Sequence, residues 1–334
     1  MNKDLFLKKI EAADTIAVIG HIRPDGDCVG SCLGFYNYIA ENYPHKTIVV
    51  YLEEIAPKFR FLNGAEHIVH KTCDKVYDLA VSLDCGDTDR HGAFAPIFQN
   101  AKDTACLDHH RSNQGFGAYF YCDPDASSTC EIIYRHMDKE LISRECAECL
   151  YLGIVHDTGV FKYPSTTKET MEIAGELISK GARSQYIIDE TFYKVTYVQN
   201  KITGEALLNC GLALDGKVIF TCVTNEVFDK YGATKDDTDG IIDKLRVTEG
   251  VEVAIFAYQL SEKGFKYSLR SVSYVDVSKI AVSYGGGGHI RAAGFEAAGA
   301  YEEVLHRHVK RKAGQSRRYA AVHCIQGSEK RYKH

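Results

Sequence analysis

The sequence predicts an α/β protein whose N-terminal half holds a mostly parallel sheet with helices on both faces. Short apolar runs, each followed by polar residues and then by helix-like or loop sequence, lie at residues 15–20, 47–52, 79–83 and 104–107. Strands that alternate with helices form parallel sheets covered on both faces. Residues 127–180 then predict helices, since apolar residues recur three and four positions apart, and Ser128 to Glu131 has the form of a capping box.

The chain is long enough for two domains. Its 334 residues exceed the length of one ordinary domain, and each half can bury a core of its own. Apolar patterns in the second half predict three strands and a helix, at residues 218–223, 251–260 and 265–272 and at residues 237–246. We therefore expect a large N-terminal domain, a helical connector, a smaller α/β domain and a basic tail, over residues 1–186, 187–208, 209–312 and 313–334.

The composition is that of a folded protein without a membrane anchor. Hydrophobic residues make up 45% of the chain and charged residues 25%, so wholesale disorder is not expected. No stretch approaches the roughly 20 apolar residues of a membrane span, and the N-terminus lacks the apolar core of an export signal. The 12 cysteines are scattered, as is typical of a reducing cytosol, and we interpret the C-x-x-C pair Cys146 and Cys149 as structural. We expect a soluble, cytoplasmic protein that contacts no membrane.

Net charge limits the class of partner. At −5, the chain as a whole repels a long polyanion, which favours a small substrate over a long nucleic-acid duplex. The basic residues beyond position 307 are the exception, and we interpret them as a solvated tail. The sequence leaves open whether the chain forms a homodimer.

The segment after the first predicted strand carries an imidazole and two carboxylates within seven residues, at His21, Asp25 and Asp27. Ligand sites in open α/β sheets form at this end of the strands. The segment also suits an ordinary polar turn, with Pro24 and Gly26 shaping it and Asp27 capping the next helix. Taken alone, the cluster supports both interpretations.

The same pattern recurs at three later positions. Asp84 follows the strand predicted at residues 79–83, and Asp157 ends an apolar helix. The strand predicted at residues 104–107 runs directly into four polar residues, Asp108, His109, His110 and Arg111. Because the ends of parallel strands meet at one edge of the sheet, we expect these clusters to converge there.

Carboxylate and imidazole ligands without thiolate suit a borderline-hard ion such as Mn²⁺ rather than a structural zinc ion. The acids of the four clusters carry enough negative charge for two divalent ions, and they are Asp25, Asp27, Asp84 and Asp157. Two ions about 4 Å apart stabilise the attacking and the leaving oxygen in phosphoester cleavage. We therefore expect a two-ion phosphoesterase that uses Mn²⁺, with Mg²⁺ or Co²⁺ as substitutes.

A glycine-rich segment in the second half is a candidate phosphate site. Four glycines at residues 285–288 allow backbone amides to approach a phosphate, and His289 and Arg291 supply charge at its edge. A flexible turn explains the glycine run equally well. The small residues at positions 292–294 favour tight packing around a ligand.

Asp108-His109-His110, the other acidic clusters and the glycine-rich segment together resemble the DHH phosphoesterase superfamily and its substrate-binding DHHA1 domain. The resemblance spans nearly the whole chain, and residues 268–278 are most similar to the nanoRNase and pAp-phosphatase branch. It implies a DHH domain over residues 1–186 and a DHHA1 domain over residues 209–312. It also implies hydrolysis of short oligoribonucleotides, linear dinucleotides or 3′-phosphoadenosine 5′-phosphate (pAp).

The resemblance implies roles for individual residues. Asp84 and His110 would be catalytic, with His110 facing the scissile phosphate, and Asp108 would orient an imidazole. One ion would be held by His21, Asp25 and Asp84, and the second by Asp27, Asp84, His109 and Asp157. A substrate phosphate would be bound by Arg111, Arg270, Gly286, Gly287, Gly288, His289 and Arg291. Arg291 stands where lysine is more usual, and the role of His156 is open.

Related enzymes and one non-enzyme are the alternatives. A family II pyrophosphatase would need a cationic cluster in place of the glycine-rich segment. A RecJ-like single-strand exonuclease would be longer and would benefit from a basic groove, and a membrane-bound cyclic-dinucleotide phosphodiesterase would need membrane spans. A catalytically inactive nucleotide-binding protein would have no chemical reason to keep all the ligand residues.

Overall fold

A computed structural model describes residues 3–262 and 264–298 of the protein. The chain divides between Lys194 and Val195 into two compact units, each with its own sheet and its own buried core. The predicted α/β class with a parallel N-terminal sheet and a second, smaller α/β unit is confirmed.

The sheet of the first unit is entirely parallel. Its strands are β1 (Thr15–Ile19), β2 (Thr47–Tyr51), β3 (Leu79–Leu83), β4 (Asp103–Asp108) and β5 (Tyr119–Cys122). They lie in the order β2-β1-β3-β4-β5, so all four predicted strands are confirmed. β5 was not predicted, because this four-residue edge strand has a single buried residue and is too short to show a pattern.

Helices cover both faces of this sheet. They are α1 (Lys3–Ala12), α2 (Gly26–Asn42), α3 (Ala95–Gln99), α4 (Thr129–His136), α5 (Arg144–Asp157), α6 (Lys168–Ser179) and α7 (Ser184–Ile188). Short 3-10 or π turns lie at Pro57–Phe59, Ala65–His67, Thr88–Phe94, Lys139–Leu141 and Asp189–Tyr193. Alternate residues of β1 enter different buried clusters, Ile16 and Val18 one and Ala17 and Ile19 the other. This alternation shows that neither face of the sheet is open to solvent.

Helices α2 and α5 approach closely enough to bring their functional ends together. A Cβ atom at position 30 of α2 would lie only 2.5 Å from the backbone oxygen of Cys149 on α5, so glycine is required there. The pair Cys146 and Cys149 is buried on α5 and belongs to no candidate metal group within the described ranges. Its predicted structural role is consistent with this position.

The predicted capping box at the start of α4 forms only in part. The Ser128 side chain accepts a hydrogen bond from the Glu131 backbone N–H, as predicted. The Glu131 carboxylate does not complete the box but accepts hydrogen bonds from the Ser127 and Thr170 hydroxyls, at 2.6 and 2.8 Å. Glu131 is fully buried, and these tertiary partners provide the hydrogen bonds that a buried carboxylate requires.

The second unit is built on a six-stranded mixed sheet. Its strands are β6 (Gly211–Ala213), β7 (Val218–Val223), β8 (Val253–Gln259), β9 (Gly264–Ser271), β10 (Gly287–His289) and β11 (Ala292–Ala298), in the order β10-β11-β9-β8-β7-β6. Its helices are α8 (Tyr197–Leu208), α9 (Asn225–Tyr231), α10 (Ile241–Arg246) and α11 (Val277–Val282). The predicted strands β7, β8 and β9 are confirmed, whereas β6, β10 and β11 were not predicted.

The helix predicted at residues 237–246 is shorter in the structure. A 3-10 turn at Lys235–Thr238 ends at Asp239, whose ψ is 138°. Gly240 follows with a φ of 79°, and α10 begins only at Ile241. A left-handed residue interrupts any α-helix, so the amphipathic pattern extends beyond the helix itself.

The predicted connector at residues 187–208 is divided between the two units. Ile187 on α7 is buried in the core of the first unit, while Ile202 and Ala206 on α8 are buried in that of the second. The domain boundaries themselves stay a prediction, and the basic tail at residues 313–334 lies outside the described residues. Across the described chain we find no helix with the length and apolar character of a bilayer span.

Candidate metal centre

The predicted clusters of the first unit meet at the carboxyl edge of its sheet. His21 follows β1 by two residues, Asp84 directly follows β3, and Asp108 is the last residue of β4. Helix α2 begins beside Asp25, and α5 ends at Asp157. The parallel sheet therefore brings together side chains from four separate chain segments, as expected for this edge.

His21 is buried and has one ring nitrogen available for a ligand. Its Nδ1–H donates a 2.8 Å hydrogen bond to the backbone oxygen of Ile22, so its Nε2 carries the lone pair. Nε2 lies 3.6 Å from Asp25 Oδ1 and 3.5 Å from Asp84 Oδ2. Burial lowers the pKa of His21, but the two carboxylates raise it further, to well above its usual range. A cation is therefore favoured at this position, whether a proton or a metal ion.

Asp27, in the first turn of α2, is completely buried, and its carboxylate contacts the N-terminus of α4. Its Oδ2 accepts a 2.6 Å hydrogen bond from the Thr129 N–H, and its Oδ1 accepts a 3.0 Å bond from the Cys130 N–H. Burial and the nearby charges of Asp84 and Asp157 raise the pKa of Asp27 well above its usual range. A buried carboxylate beside two others needs a cation to remain ionised.

Asp84 adopts a left-handed backbone conformation, with φ of 59°, immediately after β3. Few residues other than glycine do so, and aspartate and asparagine are the commonest. The Asp84 side chain is buried, and its Oδ1 accepts a 3.0 Å hydrogen bond from the Thr129 hydroxyl. The same oxygen lies 3.6 Å from His109 Nε2 and 3.6 Å from His110 Nδ1, which makes Asp84 the central carboxylate of the cluster.

His109 faces three carboxylates. Its Nε2 lies 3.0 Å from Asp157 Oδ2, 3.6 Å from Asp84 Oδ1 and 3.9 Å from Asp27 Oδ2. Burial lowers the pKa of His109, but the contact with Asp157 and the charges of the other two acids raise it to about 10. Metal-free protein therefore holds a proton where a metal ligand is predicted.

His110 is held by Asp108 and not by the cluster itself. Its Nδ1–H donates a 2.7 Å hydrogen bond to Asp108 Oδ1, and the amide of Asn113 donates a 2.7 Å bond to Asp108 Oδ2. The bond to Asp108 raises the pKa of His110. Asp108 was predicted to orient an imidazole, and the imidazole that it contacts is that of His110. Asn113 and Thr129 were missed, because a lone amide and a lone hydroxyl give no signal in one sequence.

Three compact sets of ligand atoms can hold a metal ion, each set lying within 4.8 Å. They are Asp27, His109 and Asp157; Asp84, His109 and His110; and His21, Cys28 and Asp84. The first matches the predicted second ion, with Asp84 beside it. Cys28 replaces the predicted Asp25 in the third set, but burial raises the pKa of this thiol, and its Sγ already accepts a hydrogen bond from the His21 N–H. Since metals bind the thiolate, Asp25 is chemically the better ligand.

Asp25 also caps α2. Its Oδ1 accepts hydrogen bonds from the backbone N–H groups of Asp27 and Cys28. Burial raises its pKa, but His21 and these amides lower it to about 2, so the carboxylate stays ionised. The expectation that Asp27 caps this helix is wrong, because the cap is Asp25 and Asp27 lies in the first turn of α2. For Asp25, a role as helix cap is compatible with a role as metal ligand.

Comparison with known proteins decides the family. A model of the DHH family, N-terminal domain, matches residues 15–154, and a DHHA1 domain model matches residues 215–311. The bifunctional oligoribonuclease and PAP phosphatase NrnA of Thermus thermophilus is 31% identical over 90% of this chain and 90% of its own. This chain belongs to the DHH family. It is a phosphoester hydrolase.

Two further relatives agree with the DHH assignment. The protein of the same name from Bacillus subtilis is 28% identical and aligns with 87% of this chain and 92% of its own length. The crystal structure of an exopolyphosphatase-related protein from Bacteroides fragilis is 26% identical, with a TM-score of 0.80 over 93% of this chain and 94% of that one. The predicted membership of the DHH and DHHA1 families is confirmed.

The predicted phosphate site of the DHHA1 unit is a β-hairpin and not a flexible loop. Gly287–His289 forms β10, which pairs antiparallel with β11. A Cβ atom at position 286 would lie 2.2 Å from the backbone oxygen of Gly294, so close strand packing explains this glycine. His289 is exposed on β10 and faces solvent. The small residues pack closely against neighbouring strands. Packing around a ligand and phosphate binding both stay predictions.

The three predicted substrate arginines differ in the hydrogen bonds that their side chains make. Arg291 Nη1 donates a 2.8 Å hydrogen bond to the backbone oxygen of Val275, so it helps to hold the loop before α11. Arg270 Nη1 donates a 3.2 Å hydrogen bond to the backbone oxygen of its neighbour Leu269. Arg111, in the DHH unit, is exposed and donates a 2.7 Å bond to Asp125.

His156 packs beside the DHH centre without entering it. Its ring lies 5.0 Å from that of Phe59 and 4.5 Å from that of Phe192, measured between centroids. Burial lowers its pKa to about 4, so the ring is neutral at pH 7. It also lies directly against Gly26, which explains the glycine beside Asp25 and Asp27.

Proposed function

We propose that this chain hydrolyses short oligoribonucleotides, linear dinucleotides and pAp with two bound divalent ions. The observation that carries the proposal is the convergence of two buried carboxylates and one partly buried carboxylate on His109, in a DHH family chain whose relatives are named as oligoribonucleases and PAP phosphatases. Buried acids at such short distances are unfavourable without a cation, so the cluster is suited to metal binding.

The residues present fit two ions of the Mn²⁺ type. His21, Asp25 and Asp84 would hold the first ion, and Asp27, Asp84, His109 and Asp157 would hold the second. Carboxylate and neutral imidazole ligands suit Mn²⁺, with Mg²⁺ or Co²⁺ as substitutes. When bound, two such ions neutralise charge on the attacking and the leaving oxygens.

The side chains of the chain itself prepare this chemistry. Hydrogen bonds to Ile22 and Thr129 hold His21 and Asp84 in one orientation each. The bond from His110 to Asp108 raises the pKa of His110 and so favours the protonated imidazole. A protonated His110 would stabilise negative charge that develops on the scissile phosphate. We therefore assign His110 and Asp84 as the catalytic residues and Asp108 as a positioning residue.

Preference for short substrates is the second part of the proposal. The candidate phosphate contacts of the DHHA1 unit are Arg270, Gly286, Gly287, Gly288, His289 and Arg291, and in the DHH unit Arg111. We propose that these groups contact a phosphate at the end of a short strand. The net charge of −5 also disfavours long polyanions, including long duplexes.

The deciding experiment is turnover of a substrate panel with Mn²⁺, using Asp84→Asn as the matched inactive control. The panel contains pAp, pApA, RNA from dinucleotides to long strands, single-stranded DNA and pyrophosphate. Rapid hydrolysis confined to pAp and the shortest RNAs supports the proposal. Preference for long DNA favours the RecJ-like alternative, pyrophosphate cleavage favours a pyrophosphatase, and binding without turnover favours an inactive nucleotide-binding protein.

A cytoplasmic location and assembly as a homodimer are further proposals. The location rests on the scattered reduced cysteines, all of them free among the residues described. The homodimer is tested by the molar mass of the purified protein in solution.

A further inference from the structure

A cavity of about 320 Å³ lies directly beside the predicted first metal position. It is lined by His21, Ile22, Arg23, Asp25 and Arg90, and we call it the arginine cavity. Its volume is at the lower end of the range for small-molecule sites, which begins at about 300 Å³. Two of its lining residues are predicted metal ligands, while neither of its arginines has a role in the proposed reaction.

Arg90 has a fixed backbone and an unpaired side chain. Its N–H donates a 3.1 Å hydrogen bond to Asp87 Oδ1, and its carbonyl oxygen accepts a 2.8 Å bond from the Ile22 N–H. Its Nε is buried, and within residues 3–262 and 264–298 the guanidinium has no hydrogen-bond or ion-pair partner. The chain thus fixes the position of a cation without supplying its anion.

Two other arginines with a buried Nε differ from Arg90, because each has a carboxylate partner. Arg135 and Arg246 also have a buried Nε without a hydrogen bond. Both guanidinium groups nevertheless lie within 4.0 Å of carboxylates, Arg135 of three and Arg246 of one. Arg90 has no such carboxylate in the described part of the chain, so its charge is available to a ligand.

Arg23 places a second guanidinium at the same cavity. Its backbone is left-handed, with φ of 54°, and its N–H donates a 2.6 Å hydrogen bond to Glu53 Oε2. A left-handed backbone is unfavourable for residues other than glycine, and the hydrogen bond to Glu53 stabilises the segment in this conformation. Among the described residues the Arg23 side chain itself has no hydrogen-bond or ion-pair partner.

The chemistry of the cavity selects an oxyanion. Two guanidinium groups and a neighbouring metal ion repel each other unless an anion lies between them. Asp25 is the one carboxylate lining the cavity, and it already binds backbone N–H groups of α2. Guanidinium groups suit phosphate because they donate two parallel hydrogen bonds to its oxygens.

We propose that Arg23 and Arg90 form a second phosphate subsite within the DHH unit, which binds the substrate phosphate next to the scissile one. This inference rests on the proposed function and refines its substrate class. A nucleotide with two phosphates, such as pAp, fills the metal centre and the arginine cavity together. A dinucleoside monophosphate, NpN, fills the metal centre alone.

The test compares kcat/KM for three dinucleotides, NpN, pNpN and NpNp, in wild type, Arg23→Gln and Arg90→Gln. The exposed Arg60→Gln is the matched control, and thermal unfolding verifies that each variant is folded. We expect each cavity variant to lose about tenfold to a hundredfold on pNpN or on NpNp, and less than about threefold on NpN. A loss of kcat/KM on pNpN would show that the subsite binds the 5′ phosphate, and a loss on NpNp would show that it binds the 3′ phosphate. Equal losses on all three dinucleotides, or losses no larger than those of Arg60→Gln, overturn the subsite.

A binding measurement separates this inference from the proposed function. Metal-free protein in chelator is titrated with pAp, and binding is followed by calorimetry, where no turnover occurs. Arg23→Gln and Arg90→Gln are expected to weaken binding about tenfold, with partial recovery in Arg90→Lys. If wild type cleaves neither the dinucleotides nor pAp, the proposed function fails and this titration alone decides the subsite. Unchanged pAp binding in both Arg23→Gln and Arg90→Gln would reject the proposed subsite.

Discussion

Thr129 lies 102 positions after Asp27 in the chain, yet its N–H donates a 2.6 Å hydrogen bond to the Asp27 carboxylate. The Cys130 N–H donates to the second oxygen, at 3.0 Å. Both amides belong to the N-terminus of α4, where the helix dipole favours negative charge. These amides orient the Asp27 carboxylate, but burial close to Asp84 and Asp157 raises its pKa, so a bound cation is needed to keep it ionised.

This arrangement predicts that metal ions stabilise the fold. Mn²⁺ at 100 times its dissociation constant should raise the free energy of unfolding by about 2.7 kcal/mol, because only the folded chain assembles the site. Thermal unfolding with Mn²⁺ and with chelator measures the shift. Asp27→Asn should remove most of it, and an equal shift in that variant would show that the ion binds elsewhere.

Replacing Asp84 tests the central carboxylate. Asp84→Asn keeps a residue type that tolerates φ of 59° and keeps an oxygen for the Thr129 hydroxyl, but loses the charge. We expect kcat on pAp to fall by about 10³-fold or more, with little change in stability. Near-normal activity in this variant would contradict the two-ion assignment.

Asp84→Ala separates the backbone contribution from the charge. Alanine lacks the aspartate's tolerance of the left-handed region, so this variant should be less stable than Asp84→Asn by about 1–2 kcal/mol. Urea denaturation of both variants without metal measures the difference. Equal stability would mean that the turn after β3 relaxes in the variant.

Metal affinity should rise with pH because His109 must lose its proton to bind an ion. Its pKa is about 10 in the metal-free fold, against about 6.5 for an unperturbed histidine. The stabilisation from protonated His109 is fully present below pH 6.5 and is lost as the pH rises through 10. Over the same interval the apparent affinity for Mn²⁺ should increase, by up to about tenfold per pH unit. Calorimetric titrations at pH 7, 8 and 9 measure this trend, and His109→Gln should flatten it.

The bond from His110 to Asp108 predicts a shift in the pH–rate profile. Asp108→Asn removes the carboxylate that raises the pKa of His110, so protonated His110 should be lost at lower pH. The alkaline limb of kcat should move to lower pH, and kcat at pH 7.5 should fall about 10–100-fold. A uniform loss at every pH would instead indicate that Asp108 only supports the local structure.

Gly26 and His156 should be energetically coupled. A Cβ atom at position 26 would lie 2.1 Å from His156 Cγ, so Gly26→Ala should cost about 1–3 kcal/mol of stability. His156→Ala opens space for the new methyl group. The double variant should therefore be more stable than the sum of the single effects predicts, by about 1 kcal/mol in a urea-denaturation cycle.

Gly175→Ala is the matched control for that cycle. A Cβ atom at this position on α6 has no neighbour within 4 Å, so the variant should be as stable as wild type or more stable by about 0.5–1 kcal/mol. Additive effects of the Gly26 and His156 substitutions would show that the two residues are not in contact.

Local sequence patterns were sufficient for four of the five strands of the DHH unit and for the location of its site. The four apolar runs are short, continuous and followed by polar residues, and parallel pairing then requires their ends to share one edge. Elements that lack such a pattern were missed. β5 has one buried residue, and β10 consists of two glycines and a histidine, which resemble a loop until β11 pairs with them.

The sequence by itself determined the fold class, the family and the set of acids and imidazoles that converge on the centre, because these follow from residue types and spacing along the chain. Only the tertiary structure decided which group supports which. The amides of Thr129 and Cys130 hold Asp27, Asp108 binds His110, and Arg90 is buried without a partner among the described residues. These relationships depend on how α4, α5 and the loops after β1 and β3 pack together. Packing joins residues that are distant in sequence, so no local pattern records it.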